Sequence, residues 1–316
     1  MNPSPPLLRI VPGFEDFEAR DFDVNGTRIH ARVARGDDDR PALLLLHGFP
    51  QTHAIWHKVA PALVKRYRVV CPDLRGYGDS AKPAGDADHA NYSKRTMAAD
   101  MADLMRALGH DRFHLVGHDR GGRVAHRLAL DHPDRVTKLC VIDISPTLTM
   151  YDRTDFAFAQ AYFHWFFLTQ PAPLPETMLA ADAPRFLRMF LGGWGGGGLA
   201  AYAPEAFDEY QRCWATTEGL HGSCEDYRAS AGIDLEHDRA SDAKGQRVQC
   251  PLLVLWGERG VVAKMFDPVE DWIAKCDAPV TGKRLPAGHF IPEEVPDLLL
   301  DELEPFLMDS RRSGAS

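Results

Sequence analysis

Apolar positions in this chain fall into short continuous runs separated by polar or periodic stretches. Phe17 to Val33 alternates apolar and polar residues on both sides of Asn25-Gly26, the strongest short hairpin signal. Pro41 leads into Ala-Leu-Leu-Leu-Leu-His-Gly-Phe-Pro (42–50), a buried-strand run ended by a glycine turn. The spacing then predicts a helix from Ile55 to Arg66, a strand with its exit loop over 68–76, and a polar loop over 77–93. Lys94 to Leu108 is periodic and stops at Gly109, as a helix does. A strand over 113–117, a sharp turn, a helix over 124–130 and a strand from Val136 to Ile144 follow. Strand and helix in alternation, with strands that are nearly all apolar, predict a parallel sheet covered on both faces.

The alternation breaks at Pro146. From Thr147 to about His237 there is no strand-like run, only aromatic-rich helical stretches, a proline cluster and the run Gly192-Gly-Trp-Gly-Gly-Gly-Gly. That interval reads as an inserted helical cap, with the glycine run as a flexible turn between its helices. The sheet resumes at Pro251-Leu-Leu-Val-Leu-Trp-Gly, followed by a helix over 268–275, a strand over 283–285 and an amphipathic helix from Glu293 to Met308. The expected organisation is a core of residues 1–146 and 238–316 with a cap over 147–237. A Pro-rich arm (1–15) and a disordered tail (310–316) are expected at the ends.

A chain of 316 residues is long enough for one large α/β domain with an insertion, and 45% hydrophobic with 26% charged residues is the balance of an ordinary soluble globule. The net charge of −9 argues against a nucleic-acid partner and supplies no long-range pull on an anionic substrate. An anion must therefore be caught by local cations. Six scattered cysteines without a CxxC pair suggest reduced thiols. The first residues carry neither a basic nor an apolar leader region, and no apolar run nears the ~20 residues of a membrane span. A soluble cytoplasmic protein, off the membrane, is the expectation.

The chemistry centres on Gly117-His-Asp-Arg-Gly-Gly-Arg. Glycines flank Asp119 where a strand turns sharply into a helix, the G-x-nucleophile-x-G elbow of α/β-hydrolases with Asp in place of Ser. A lone G-x-D-x-G is more often an Asp capping an ordinary helix, but the residues that follow reverse that. His289, in Pro286-Ala-Gly-His-Phe, comes after the last predicted strand, where this chain order puts the catalytic base. The acid that orients such a base often follows the strand ending Leu-Trp-Gly, where only Glu258 stands. Asp143, at the end of the strand after the elbow, is better placed. The backbone N–H groups of Phe49 and Arg120 form the expected oxyanion site. Arg120 and Arg123, one and four residues after the nucleophile, bring two guanidinium forks that suit a carboxylate. His53 and His57 are four apart but lack a third ligand, so no metal is expected; no cofactor is needed either.

Together with Gly48-Phe-Pro-Gln-Thr-His, Asp143-Ile, Tyr162-Phe-His-Trp, Gln170-Pro-Ala-Pro-Leu-Pro-Glu and Cys224-Glu-Asp-Tyr-Arg, this elbow resembles the haloacetate (fluoroacetate) dehalogenases over about residues 12–307. The resemblance implies an α/β-hydrolase fold: a mostly parallel central sheet, helices on both faces and a helical cap. It implies Asp119 as nucleophile, Arg120 and Arg123 as carboxylate clamp, and His289 with Asp143 as the pair that activates water. It also implies that His164, Trp165 and Tyr227 hold the leaving halide. Imidazole, indole and phenol are the kind of donors that a dry fluoride pocket needs. The expected activity is hydrolytic dehalogenation of short 2-haloacids, fluoroacetate above all, by a homodimer with water as the second reactant. The rivals are an epoxide hydrolase, using the same nucleophile and base with two cap tyrosines drawn from Tyr162, Tyr202, Tyr210 and Tyr227, and a non-catalytic receptor on the same fold.

Overall fold

Asn25 and Gly26 both take positive φ, 45° and 71°, the geometry that matches strand twist in a two-residue hairpin. They join β1 (Phe17–Val24) to β2 (Thr27–Ala34), with Val24 opposite Thr27. The computed structural model describes residues 11–36 and 39–308; most of the expected N-terminal arm and the 310–316 tail lie outside them.

The remaining strands are β3 (Ala42–Leu46), β4 (Arg68–Pro72), β5 (Phe113–His118), β6 (Val136–Ile142), β7 (Leu252–Gly257) and β8 (Val280–Leu285). They form one sheet in the order β1-β2-β4-β3-β5-β6-β7-β8. The β1–β2 and β2–β4 pairings are antiparallel, and every other pairing is parallel. All of β3 is buried, as a strand covered on both faces must be. This is the α/β-hydrolase architecture, and the C-terminal ends of its parallel strands are where such sheets take ligands.

Between Pro146 and Gly245 the chain forms helices and turns without a strand. The first helix is Thr147–Asp152; the last, Ile233–Ala243, passes the expected boundary at 237 and stops before Gly245, whose φ is 67°.

Three expected elements differ in extent. The helix expected over 55–66 is a 3-10 turn, His53–Trp56, and a single helical turn, Ala60–Leu63. Pro61 has no N–H to bond the His57 carbonyl, so a continuous helix is excluded. The C-terminal helix is likewise split into Ile291–Glu294 and Pro296–Met308. Val295 sits at φ −140°, ψ 55°, out of the helical region that a following proline disfavours. Strand β8 starts at Val280 rather than 283, because six residues pair with β7 whatever their polarity.

Candidate active site

β5 ends at His118, and the next residue turns the chain into the helix Arg120–Asp131. Asp119 at that turn has φ 46°, ψ −116°, a strained conformation for a residue with a side chain. The turn is tight because backbone meets backbone: a Cβ on Gly121 would lie 2.3 Å from the His47 carbonyl oxygen. Asp119 Oδ1 accepts the Phe49 N–H at 2.8 Å. Arg120 is the first residue of the helix, so its N–H has no acceptor within it. The loop that carries Phe49 is held by buried His47, whose Nδ1–H donates to the Gly48 carbonyl while Nε2 accepts the Leu74 N–H. Burial works against the Asp119 charge, but His289, Arg120 and Arg123 outweigh it and hold the carboxyl below its usual value.

His289 Nδ1 donates to Asp143 Oδ2 at 2.6 Å, and its Nε2 is 3.9 Å from Asp119 Oδ2. Asp143 is anchored through Oδ1, which accepts the Gly257 N–H at 2.9 Å. Burial disfavours the imidazolium, yet the bond to Asp143 and the charges of Asp143 and Asp119 lift the His289 pKa above the ordinary histidine value. Glu258, the other candidate acid, is exposed and 3.5 Å from Arg259. His118 Nε2–H donates to the His289 carbonyl at 2.8 Å. Burial pushes the His118 pKa down to about 3, so its ring stays neutral beside His289.

The two arginines are both buried and differ sharply in company. Arg120 makes a two-pronged pair with Asp226, Nε to Oδ2 and Nη2 to Oδ1, each 2.8 Å. Asp226 also receives Lys94 and the Tyr77 hydroxyl, at 2.6 Å for the latter, and Lys94 reaches Asp234 at 3.3 Å. Removing Asp226 alone would strand buried positive charge, a loss of about 3–5 kcal/mol. Arg123 has no carboxylate of this kind among the described residues. Its Nη1 donates to the Ser145 carbonyl and Thr147 Oγ1, and Nη2 lies against Met150 Sδ. Burial first, then the neighbouring Arg120 charge, pull its pKa below the usual arginine value. One N–H group on each, Nη1 of Arg120 and Nε of Arg123, is buried without a partner among the described residues.

Phe49, Asp119, Tyr162, His164, Trp165, Trp194, Tyr227 and His289 line a small cavity of about 10 Å³. Arg120 stacks on the Tyr227 ring at 4.2 Å and Arg123 on Trp165 at 4.6 Å, so each cation backs a ring of the wall. His164 Nδ1 and the Tyr227 hydroxyl are buried without hydrogen-bond partners among the described residues. Burial drives the His164 pKa far down, so its imidazole is neutral and carries one N–H. A larger hollow beside Lys138 and Phe306 lies at the opposite ends of β6–β8, away from these groups. His53 and His57 are both outside the cavity, bonded to Asp73 and Glu293.

The α/β hydrolase fold family matches residues 41–296. A fluoroacetate dehalogenase from Burkholderia sp. is 49% identical over 94% of this chain and 96% of its own length. The chain belongs to the haloacetate dehalogenase family of α/β-hydrolases. A crystal structure of an α/β hydrolase from Nostoc sp. PCC 7120 has 49% identity and a TM-score of 0.90, covering 94% of this chain and 99% of that one. Epoxide hydrolases are also related; the soluble enzyme of Corynebacterium sp. (strain C12) is 31% identical over 88% of this chain and 93% of its own.

In this dehalogenase-family chain, the sequence-derived set Asp119, His289, Asp143, Phe49, His164, Trp165 and Tyr227 gathers at one cavity or its immediate support. Arg120, expected as half of a carboxylate clamp, is paired with Asp226 through Nε and Nη2 and keeps Nη1 without a partner among the described residues. Sequence reasoning missed Trp194, Asp226 and His118. Trp194 is the one large residue inside the glycine run, and Asp226 sits beside Tyr227 in a motif already singled out. Either position is a signal.

Proposed function

We propose that the protein, a hydrolase acting on carbon–halide bonds, converts short 2-haloacids to 2-hydroxyacids and halide, with fluoroacetate giving glycolate and fluoride. The observation that carries this reading is an ionised Asp119 facing two unpartnered donors, beside a buried Arg123 with no carboxylate of its own among the described residues. Asp119 Oδ1 is engaged by Phe49, which leaves Oδ2 as the attacking atom. Oδ2 bonds to the substrate's C2, the carbon–halogen bond breaks, and the halide departs with the electron pair toward Tyr227, His164 and Trp165. The free N–H groups of Arg120 and Arg123 take the substrate carboxylate. His289 then removes a proton from water as it attacks the Asp119 ester carbon, and the Phe49 and Arg120 N–H groups receive the oxyanion. Collapse releases the 2-hydroxyacid, whose hydroxyl takes its proton from the imidazolium; the water oxygen stays on Asp119.

The epoxide hydrolase reading is favoured by one observation, that Tyr162 and Tyr227 both line the cavity. Tyr202 and Tyr210 do not compete for that role, since they bond Leu191 and Glu293. Buried Arg123, without a carboxylate partner among the described residues, has a purpose with a carboxylate substrate and none with an epoxide. Halide release from fluoroacetate, with oxygen from labelled water entering Asp119, tests the proposal; epoxide opening without halide release would replace it.

Fluoride is the most demanding leaving group of the halide series, so loss of its donors is felt most there. Trp165→Phe and Tyr227→Phe are each expected to cost fluoroacetate turnover about 2.7–4 kcal/mol, by analogy with an oxyanion donor, and chloroacetate less. Arg123→Met weakens both substrates alike, because both carry the same carboxylate. Steady-state kinetics on the two substrates separates these outcomes, and equal losses in the Trp165 and Tyr227 variants would dismiss the halide role.

The helices between β6 and β7 leave Phe156, Phe163, Leu174, Met178 and Met189 exposed. Burying these side chains between two copies would remove apolar area from water, which fits the homodimer reading. Light scattering is expected to return twice the chain mass, and Phe156→Lys with Met189→Lys to shift it toward the monomer; a wild-type monomer would end that reading.

A further inference from the structure

The glycine run that reads as a flexible turn is packed against the loop that carries the base. His289 N–H donates to the Trp194 carbonyl at 3.0 Å. A Cβ on Gly288 would lie 2.3 Å from Gly196 N and 2.6 Å from the Trp194 carbonyl oxygen, so two backbones touch here with no room for a side chain. Across this contact lies Glu294. Its Oε2 accepts the N–H groups of Gly196 at 2.7 Å and Gly288 at 2.8 Å, and its Oε1 accepts Phe290 N–H at 3.0 Å. The Glu294 side chain is only 3% exposed, with Arg259 at 3.7 Å. One carboxylate thus joins three backbone donors, two flanking His289 and one in the inserted helical segment.

We infer that Glu294 is the positioning residue for His289, clamping the base's loop to the Gly196 segment so that Nε2 is held for attack of water on the Asp119 ester. The inference rests on the two-step reading above. Glu294 touches no reacting atom in it. His289 has its ring fixed by Asp143 and its backbone fixed at both ends, by Trp194 at the N–H and His118 at the carbonyl. Release of the Gly288 and Phe290 amides leaves the ring bond intact but lets the loop shift. A shift on the order of 1 Å costs about 10²-fold in a step that needs alignment. Displacement of halide by Asp119 does not use His289, so the first step is untouched.

This selectivity for the second step defines the test. Slowing ester hydrolysis alone lowers kcat and KM by the same factor and leaves kcat/KM unchanged. Glu294→Gln keeps the size but offers a single acceptor oxygen to three donors and places an NH2 against an N–H. It is expected to lower kcat and KM together by about 10- to 100-fold, with a full first-turnover burst of halide and accumulation of an Asp119 ester visible by mass spectrometry. Glu294→Asp, which keeps the charge and shortens the reach, keeps the test open if Glu294→Gln does not fold, and is expected to show the same pairing at smaller amplitude. An unchanged kcat, or a fall in kcat/KM equal to that in kcat, overturns the inference. His289→Gln measured alongside separates the two layers. If it accumulates ester and the folded Glu294 variants do not, the clamp is wrong; if it accumulates none, the two-step reading is wrong.

Discussion

Asp119→Asn is expected to abolish halide release, with turnover falling at least about 10⁴-fold, the scale seen when a nucleophile is removed from a preorganised site. The substitution is nearly isosteric. The side-chain oxygen still accepts the Phe49 N–H, and the strained φ of 46° is one that Asn tolerates as well as Asp. What disappears is the charge that the neighbouring cations hold on the carboxylate. An amide oxygen cannot displace halide at a useful rate, so the effect falls on the first bond-making event. The measurement is halide release by the variant, with circular dichroism to show the fold and mass spectrometry to exclude deamidation back to Asp. Sustained release by the Asp119→Asn variant, with its amide shown intact, would remove Asp119 from the mechanism.

Replacing the base has a different signature. His289→Gln should release up to one halide per active site and then stop, leaving an ester adduct that mass spectrometry detects. Asp143→Ala should follow the same course more weakly, because the imidazole loses the 2.6 Å bond that fixes its tautomer. Glu258→Ala should be silent. The pH dependence carries a further check. Burial lowers the His289 pKa, but Asp143 and then the Asp119 charge raise it above the ordinary value in the free enzyme. A base works unprotonated, so the rate rises with pH through that pKa. Esterification removes the Asp119 charge and with it part of the upward pull. The pKa seen in kcat, where ester hydrolysis limits, is therefore expected below the His289 pKa measured by NMR in the free enzyme. The reverse order would mean that Asp119 is still charged in the species that His289 acts upon.

The parts of this molecule visible in its sequence are those set by neighbours along the chain. Four consecutive leucines before His47 can only be a covered strand, and Asn25-Gly26 can only close a hairpin well. The elbow is legible because its strain demands small residues within a few positions of Asp119. Asp143 is separable from Glu258 because the loop after β7 offers so poor an alternative. What stays hidden depends on distant chain meeting chain. Nothing local tells that Asp226 closes on Arg120, 106 residues away, so two arginines read as equals. Glycine runs look alike whether they flex or pack; only the approach of Gly288 makes Gly196 a contact. The short helices at His53 and Ile291 depart from expectation for a local reason, since Pro61 and Pro296 interrupt patterns whose apolar spacing continues through them.

The neutralisation of Arg120 by Asp226 has a consequence for which substrates can complete the cycle. With Lys94 and Asp234 included, that cluster sums to zero, and with a protonated His289 offsetting Asp143 the balance around the cavity rests on Arg123 against Asp119. A haloacid adds one negative charge. After displacement the ester is neutral, and the acid's own carboxylate remains to face Arg123 while the halide departs. A haloacetamide of the same size would enter without that charge. Once it had alkylated Asp119, the halide would be the sole counter-ion of a buried guanidinium, and its escape would leave a lone cation in a dry wall. Discrimination against uncharged analogues would then operate at the exit of the leaving group as well as at the entrance of the substrate.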